Sequence, residues 1–289
     1  MKRTILAAAV PYLQVAPLAL VFLFFLVIPM VMILVVSFFD FDMITGLIPT
    51  FTLHNYIDLF TSKITLDLYL KTIKYALIVW AITLVLGFTI AYFLVFHVRN
   101  ILVAIGLFLL CTVPFWTSNI IRMISWIPLL GKYGVFNRAL MGLGIVDEPV
   151  EWLLFSEFAV VVAYVHLFTL FMIVPIFNSM ARIDRSLIEA AVDAGAGPFR
   201  ILTEVVIPLS KTGIALGSIF VITLVMGDFF VVKIMSGGRS ASVVMGVFED
   251  ITLLFYPPAA ASSVVLLIIV TLIVSGILRI VDVRKELTG

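Results

Sequence analysis

The sequence is poor in everything that keeps a protein in water. Only 12% of its 289 residues are charged, its 18 Lys and Arg nearly cancel its 17 Asp and Glu to a net charge of +1, and it holds three histidines and one cysteine. Charge this sparse cannot cover a soluble globule of such a size. It also forms no clustered basic face, which excludes nucleic acid as a partner. The lone cysteine, Cys111, sits in an apolar run, so it allows no intrachain disulfide and no cysteine cluster for zinc or iron–sulfur. No GxxxxGK[ST] stretch is present to bind ATP, no HExxH, no GxSxG elbow, and no carboxylate and histidine spacing suited to a metal. The expectation is a chain that is not an enzyme and carries neither metal nor cofactor of its own. Internal repeats, Gly/Ser linkers and low-complexity tracts are missing too, which leaves one membrane domain over residues 1–289 as the economical organisation.

What the sequence has is apolar length: 63% hydrophobic residues and 25 phenylalanines. A bilayer core takes about 20 apolar residues per helix, and only structures that satisfy their own backbone groups can cross it. Six segments qualify, at residues 17–39, 72–96, 101–121, 158–177, 212–232 and 259–280, which predicts an all-α, multi-pass membrane protein. Lys2 and Arg3 precede the first segment as in a secretory signal, yet the apolar run to Phe39 exceeds the core of a signal, and it reads as a retained transmembrane helix. With the amino terminus inside, Lys2, Arg3, Arg99, Arg182, Arg185, Arg200, Lys211, Arg279, Arg284 and Lys285 are cytoplasmic, ten of the 18 basic residues. The other eight spread over longer outer loops, so the positive-inside rule places both termini in the cytoplasm.

One polar stretch interrupts the pattern between the fourth and fifth segments, in the cytoplasmic loop 178–211. Residues 186–194 are mostly good helix formers. Glu189 and Asp193, four apart, share one face beside the methyl groups of Ala190, Ala191 and Ala194. Gly195 suits a left-handed helix end, Gly197-Pro198 a turn into a second short helix, and Pro208 a break before the fifth segment. A helix resting on lipid headgroups would present a broad stripe of large apolar side chains. This one offers alanines and acids, which favours docking into a groove on another protein, where small side chains let backbones approach.

The pattern Glu189-Ala190-Ala191, Gly195, then Val205-Val206-Ile207-Pro208 resembles the cytoplasmic "EAA" signature of permease subunits in bacterial ATP-binding-cassette (ABC) importers. Val205 and Ile207 stand where the signature usually has Ile and Leu, both conservative departures. The resemblance implies a type I importer permease fold in the bacterial inner membrane. It also implies that Glu189, Ala190, Ala191, Asp193, Ala194, Gly195 and Pro208 belong to a coupling segment seated on a partner ATPase. The implied partners are a second permease subunit forming a heterodimer, an ATPase dimer that binds ATP and Mg, and a periplasmic substrate-binding protein. "VPFWTSNIIR" at 113–122 and "PIFNSMARIDRSLIEAAVDAGA" are similar to the spermidine/putrescine permeases, which implies a small cationic solute. Permeases for amino-acid-like compounds, thiamine, iron or sulfate share much of this scaffold, and an ion-coupled secondary carrier is the rival from another class.

The residues themselves offer a partial check on the solute. Asp228 is the one acid inside the six segments, where a carboxylate costs about 2.5 to 3.5 kcal/mol to insert and so faces a cavity, a partner or a substrate. An ammonium group could pair with it, with Phe229, Phe115, Trp116 or Trp126 offering aromatic faces and Asn119 lying near the outer gate. Asp228 could equally pair with Lys233 or Arg122, or cap an irregular helix end. His166 reads as a hydrogen-bonded bundle residue or a proton relay, and Arg122 as a gate residue or an anion site that would count against a cationic solute. Met235–Ser240, "MSGGRS", reads as a flexible turn.

Overall fold

Each apolar run becomes a helix because lipid offers the backbone no hydrogen-bond partners. The structure, a computed structural model, describes residues 14–42, 46–98 and 100–281. The basic residues Lys2, Arg3, Arg99, Arg284 and Lys285, which carry half of the orientation argument, lie outside the described residues. By its internal contacts the chain divides into two units.

The first unit takes in residues up to Leu66 together with Gly246–Ile268. It begins with α1 (Gln14–Val36), which contains a π-helical turn at Leu23–Val27 and buries none of the residues from Leu23 onward. A short antiparallel hairpin follows, β1 (Phe39–Asp42) and β2 (Gly46–Phe51), with Phe41 opposite Leu47. The all-helical expectation missed it. The hairpin is pinned by α2 (His54–Thr61): the Asn55 side-chain amide donates to the carbonyls of Ser37 at 3.1 Å and Phe39 at 2.8 Å. The rings of Phe41 and Phe255 meet at a tilt beside it, centroids 4.5 Å apart.

The next helix, α3 (Lys63–His97), has 35 residues, roughly 50 Å of rise against a hydrocarbon core of about 30 Å. It starts nine residues before the expected segment, and this extension carries Asp67 and Lys71, paired at 2.8 Å. After it come α4 (Ile101–Thr112), a 3₁₀ turn at Val113–Trp116, α5 (Asn119–Leu130) and α6 (Val135–Gly142). The third expected segment, 101–121, is therefore not one straight helix: α4 and the helical stretch from Asn119 meet at 93°. Pro114 sits in the turn, and Thr117 and Ser118 leave helical geometry at ψ 148° and 138°. Among the described residues, five helices are long and apolar enough to cross a membrane, and six spans result when this bent pair counts as one.

The rest comprises α7 (Glu157–Met180), α8 (Arg185–Asp193), α9 (Pro198–Gly227), α10 (Phe230–Met235), α11 (Val243–Thr252) and α12 (Tyr256–Ile280). Ser156 caps α7 by accepting from the Ala159 N–H at 3.2 Å. The break expected at Pro208 is absent, since α9 runs unbroken through it. A π-helical turn at Leu202–Val206 immediately precedes the proline, and its wider winding removes the clash with the carbonyl four residues back that would otherwise kink the helix.

The core of the second unit is the meeting of α3, α7 and α9 at Met172, which is fully buried. Gly87 and Gly217 face it so closely that an added Cβ would lie 2.6 and 2.7 Å from Met172 atoms, and one on Gly213 would lie 2.4 Å from the Pro175 carbonyl. Side-chain hydrogen bonds reinforce the packing: Trp80 Nε1 donates to Ser218 Oγ at 2.8 Å, and Thr72 Oγ1 accepts from the Val243 N–H at 3.0 Å.

Candidate functional site

Helix α8 is the Glu189 helix expected from the polar loop. Asp184 caps it: its carboxylate accepts from the backbone N–H of Ser186 at 3.0 Å, and Ser186 holds the Asp184 carboxyl below the usual carboxylate range. At the other end Gly195 takes the left-handed conformation, φ 82°, and the N–H groups of Gly195 and Ala196 close on the carbonyls of Val192 and Ala191. Glu189, Ala190, Asp193, Ala194 and Gly195 are exposed and Ala191 half-buried, while large apolar side chains nearby, Leu187, Val192 and Phe199, also lie open. Glu189 borders a cavity of about 190 Å³ together with Tyr92, Phe96 and Arg185. Pro208 is exposed in the first turn after the π-helical segment.

Beside this helix a larger cavity, about 620 Å³, opens between α7 and α9. Val174, Leu216 and Phe220 form apolar walls, Asn178, Ser179 and Thr212 add polar atoms, and Arg182 and Asp184 stand at the α8 end. The Thr212 hydroxyl is buried with no hydrogen-bond partner.

Asp228 follows the last residue of α9 in extended backbone, φ −97° and ψ 133°. Its Oδ1 accepts from the Val231 N–H at 2.8 Å and from the Tyr164 hydroxyl at 3.3 Å, so the carboxylate holds the first turn of α10, one of the roles weighed for it. Phe229 is half-buried next to it. Tyr164 gave no signal in the sequence, because only folding brings α7 to this junction.

The other aromatics expected on the path have contacts of their own. Phe115 stacks edge-on against Phe171, centroids 5.8 Å apart, and borders a cavity of about 320 Å³ shared with Arg122 and His166. Trp126 Nε1 donates to His166 Nδ1 at 3.1 Å, so the histidine is hydrogen-bonded as its place in a helix bundle suggests. Asn119 is exposed and accepts from Arg122 through its Oδ1, and Trp116 is 83% exposed. The glycine loop expected to be flexible is tied down: Ser236 Oγ donates to the Ser240 carbonyl at 2.9 Å, and Ser240 Oγ and Tyr75 OH lie 2.6 Å apart.

No protein-family model matches the chain. Over 219 residues it is 34% identical to the spermidine/putrescine transport system permease protein PotB of Escherichia coli (strain K12), covering 75% of this chain and 77% of PotB. Haemophilus influenzae PotB is 32% identical, covering 75% and 74%. The inner membrane ABC transporter permease protein YdcU of Escherichia coli is 31% identical over 208 residues, covering 68% and 65%. Among solved structures, a bacterial alginate ABC transporter in complex with alginate pentasaccharide-bound periplasmic protein superposes with a TM-score of 0.75 at 16% identity, covering 96% of this chain and 95% of the other. That likeness establishes a shared fold.

Proposed function

This chain belongs to the ABC transporter permease family of PotB and YdcU, and from that premise we propose that it forms half of the path of an ATP-driven importer for a small polyamine-like cation. The observation that carries the coupling part is α8, a capped, glycine-terminated and largely exposed helix on which the apolar side chains of Leu187 and Val192 lie open among the described residues. In this reading Glu189 to Gly195 dock on a partner ATPase, which binds ATP and Mg. A second permease completes the path in the inner membrane, with both termini of this chain in the cytoplasm. A periplasmic binding protein delivers the solute. Closure of the ATPases pulls on α8 and turns the permeases outward-open, and hydrolysis returns them inward-open. This chain is not itself an enzyme.

The solute class comes from the PotB relatives, and the wide cavity suits it chemically: apolar walls for methylenes, with amide and hydroxyl oxygens for ammonium groups. Asp228 supplies negative charge, with Phe229 beside it, and Phe115, Trp116, Trp126 and Asn119 line the outer part of the path. The test is reconstitution of the complex co-purified with this chain, with its binding protein, in liposomes. ATP-dependent uptake of radiolabelled spermidine or putrescine is the expected result. Ion-driven uptake by the chain alone would replace this reading with a secondary carrier, and ATP-dependent uptake of another solute would correct only the substrate. Asp228→Asn is expected to raise the KM for polyamine several-fold, and unchanged kinetics would leave Asp228 as a helix cap only.

A further inference from the structure

Arg122 is the odd charge of the second unit. It lies on α5, only 8% exposed, just beyond the outer end of the third expected segment, and among the described residues its guanidinium meets one acceptor, the Asn119 side-chain oxygen. Its Nε–H is buried with no acceptor, and among the described residues no carboxylate lies within ion-pair distance. A buried guanidinium left like this is costly, because it has lost water without gaining a counter-charge. The group also borders the cavity of about 320 Å³ that contains His166. Trp126 N–H occupies His166 Nδ1, so the neutral ring carries its proton on Nε2 and offers a second donor. The remaining wall is mostly apolar, including Leu86, Ile90 and Phe115, with Thr169 and Cys111 among it.

We propose that this cavity binds an oxyanion attached to an apolar body, with Arg122 Nε–H and His166 Nε2–H as donors to the oxyanion. Two hydrogen-bond donors, one of them fully charged, match the lone pairs of a phosphate or carboxylate, and the aliphatic and aromatic wall takes the rest of the molecule. The same chemistry comes from two sources, the phosphate of an anionic phospholipid with its acyl chain or a free organic acid. The transported cation is a separate ligand: Phe115 borders this cavity and Trp126 and Asn119 bond to its two donors, so the site adjoins the outer part of the proposed route, and Arg122 repels a cation from the cavity itself.

The test uses the complete transporter purified in mild detergent and stripped of lipid. Its unfolding midpoint is titrated with short-chain phosphatidylglycerol in one arm and with butyrate in another, both at constant ionic strength against chloride. A saturable rise above the chloride control is expected, and the arm that produces it identifies the source. Arg122→Gln is expected to weaken the apparent affinity about tenfold or more, the loss of one charge-assisted hydrogen bond. If that variant does not assemble, His166→Phe, which removes the second donor and keeps the charge, is expected to weaken it about fivefold. No saturable shift in the wild type with either probe would overturn the site. So would equal responses in wild type and variants, or a carboxylate of the second permease found against Arg122 in the assembled complex.

Discussion

Helices α7 and α9 and the short helix α8 between them are contiguous in sequence, yet opposite forces define them. At the α7–α9 contact two glycines are explained inside the chain: Gly213 lies against the Pro175 carbonyl, Gly217 against Met172, and a methyl group fits at neither place. Around α8 the caps are explained by the backbone, but among the described residues packing does not explain the exposed face. An added Cβ at Gly195 or Gly197 meets no atom within 4 Å, and Leu187, Val192 and Phe199 face outward. Glycine therefore means two things within Glu157–Gly227, close approach of backbones in the first region and a left-handed turn at Gly195 in the second. The second region is shaped for something outside the chain.

The comparison breaks most sharply at α8. Gly195→Pro should abolish transport while the protein stays in the membrane at normal level, because proline cannot reach φ 82° and removes the N–H that closes on Val192. Glu189→Lys, on the exposed face, should do the same by charge reversal alone. Wild-type uptake by both variants, measured beside their abundance in membranes, would remove the coupling role. Gly213→Val should do the reverse, lowering the unfolding midpoint of the purified complex and its abundance, by about 1–3 kcal/mol as for other overpacked cores. Equal stability would mean that α7 and α9 part more easily than their packing indicates.

Smaller effects sharpen the contrast. Tyr75→Phe leaves the buried Ser240 hydroxyl without its partner and should destabilise by about 1 kcal/mol, seen as a lower midpoint with the KM unchanged. The smallest concerns the exposed cap of α8. Asp184 is held below its ordinary pKa by Ser186, so the cap contributes above the usual carboxylate range and is lost as the pH falls through the lowered value. Asp184→Ala should reduce ATP-driven uptake modestly at neutral pH, Asp184→Asn should restore most of it, and acidification should narrow the gap between wild type and Asp184→Ala. A gap that stays constant down to acid pH would mean that the carboxylate does not hold the helix.

Much of this was legible in the sequence because hydrophobicity is a property of single residues summed along a window. The apolar runs, the small polar helix and its glycine end are local patterns: the small helix and Gly195 stand where the sequence places them, while the second run starts nine residues early and the third bends by 93°. The hairpin at Phe39–Phe51 was hidden in the tail of an apolar run, and its anchor, Asn55, bonds to carbonyls 16 and 18 residues away. Pro208 misled because proline reads as a break unless a π-helical turn precedes it. The candidate site was legible by residue type and not by grouping: Asp228 and Phe115 both stood out, and folding places the first with Tyr164 and the second with Arg122 and His166.

The sequence by itself determined that this chain is a multi-pass membrane protein and that one exposed helix breaks the apolar pattern, since both depend only on transfer energies and local backbone preferences. The tertiary structure alone decided which polar groups find partners. Asp228 found a helix end and a tyrosine, and Arg122 found a single amide oxygen, because partnership in a low-dielectric interior depends on distances of a few ångströms between segments far apart in the chain.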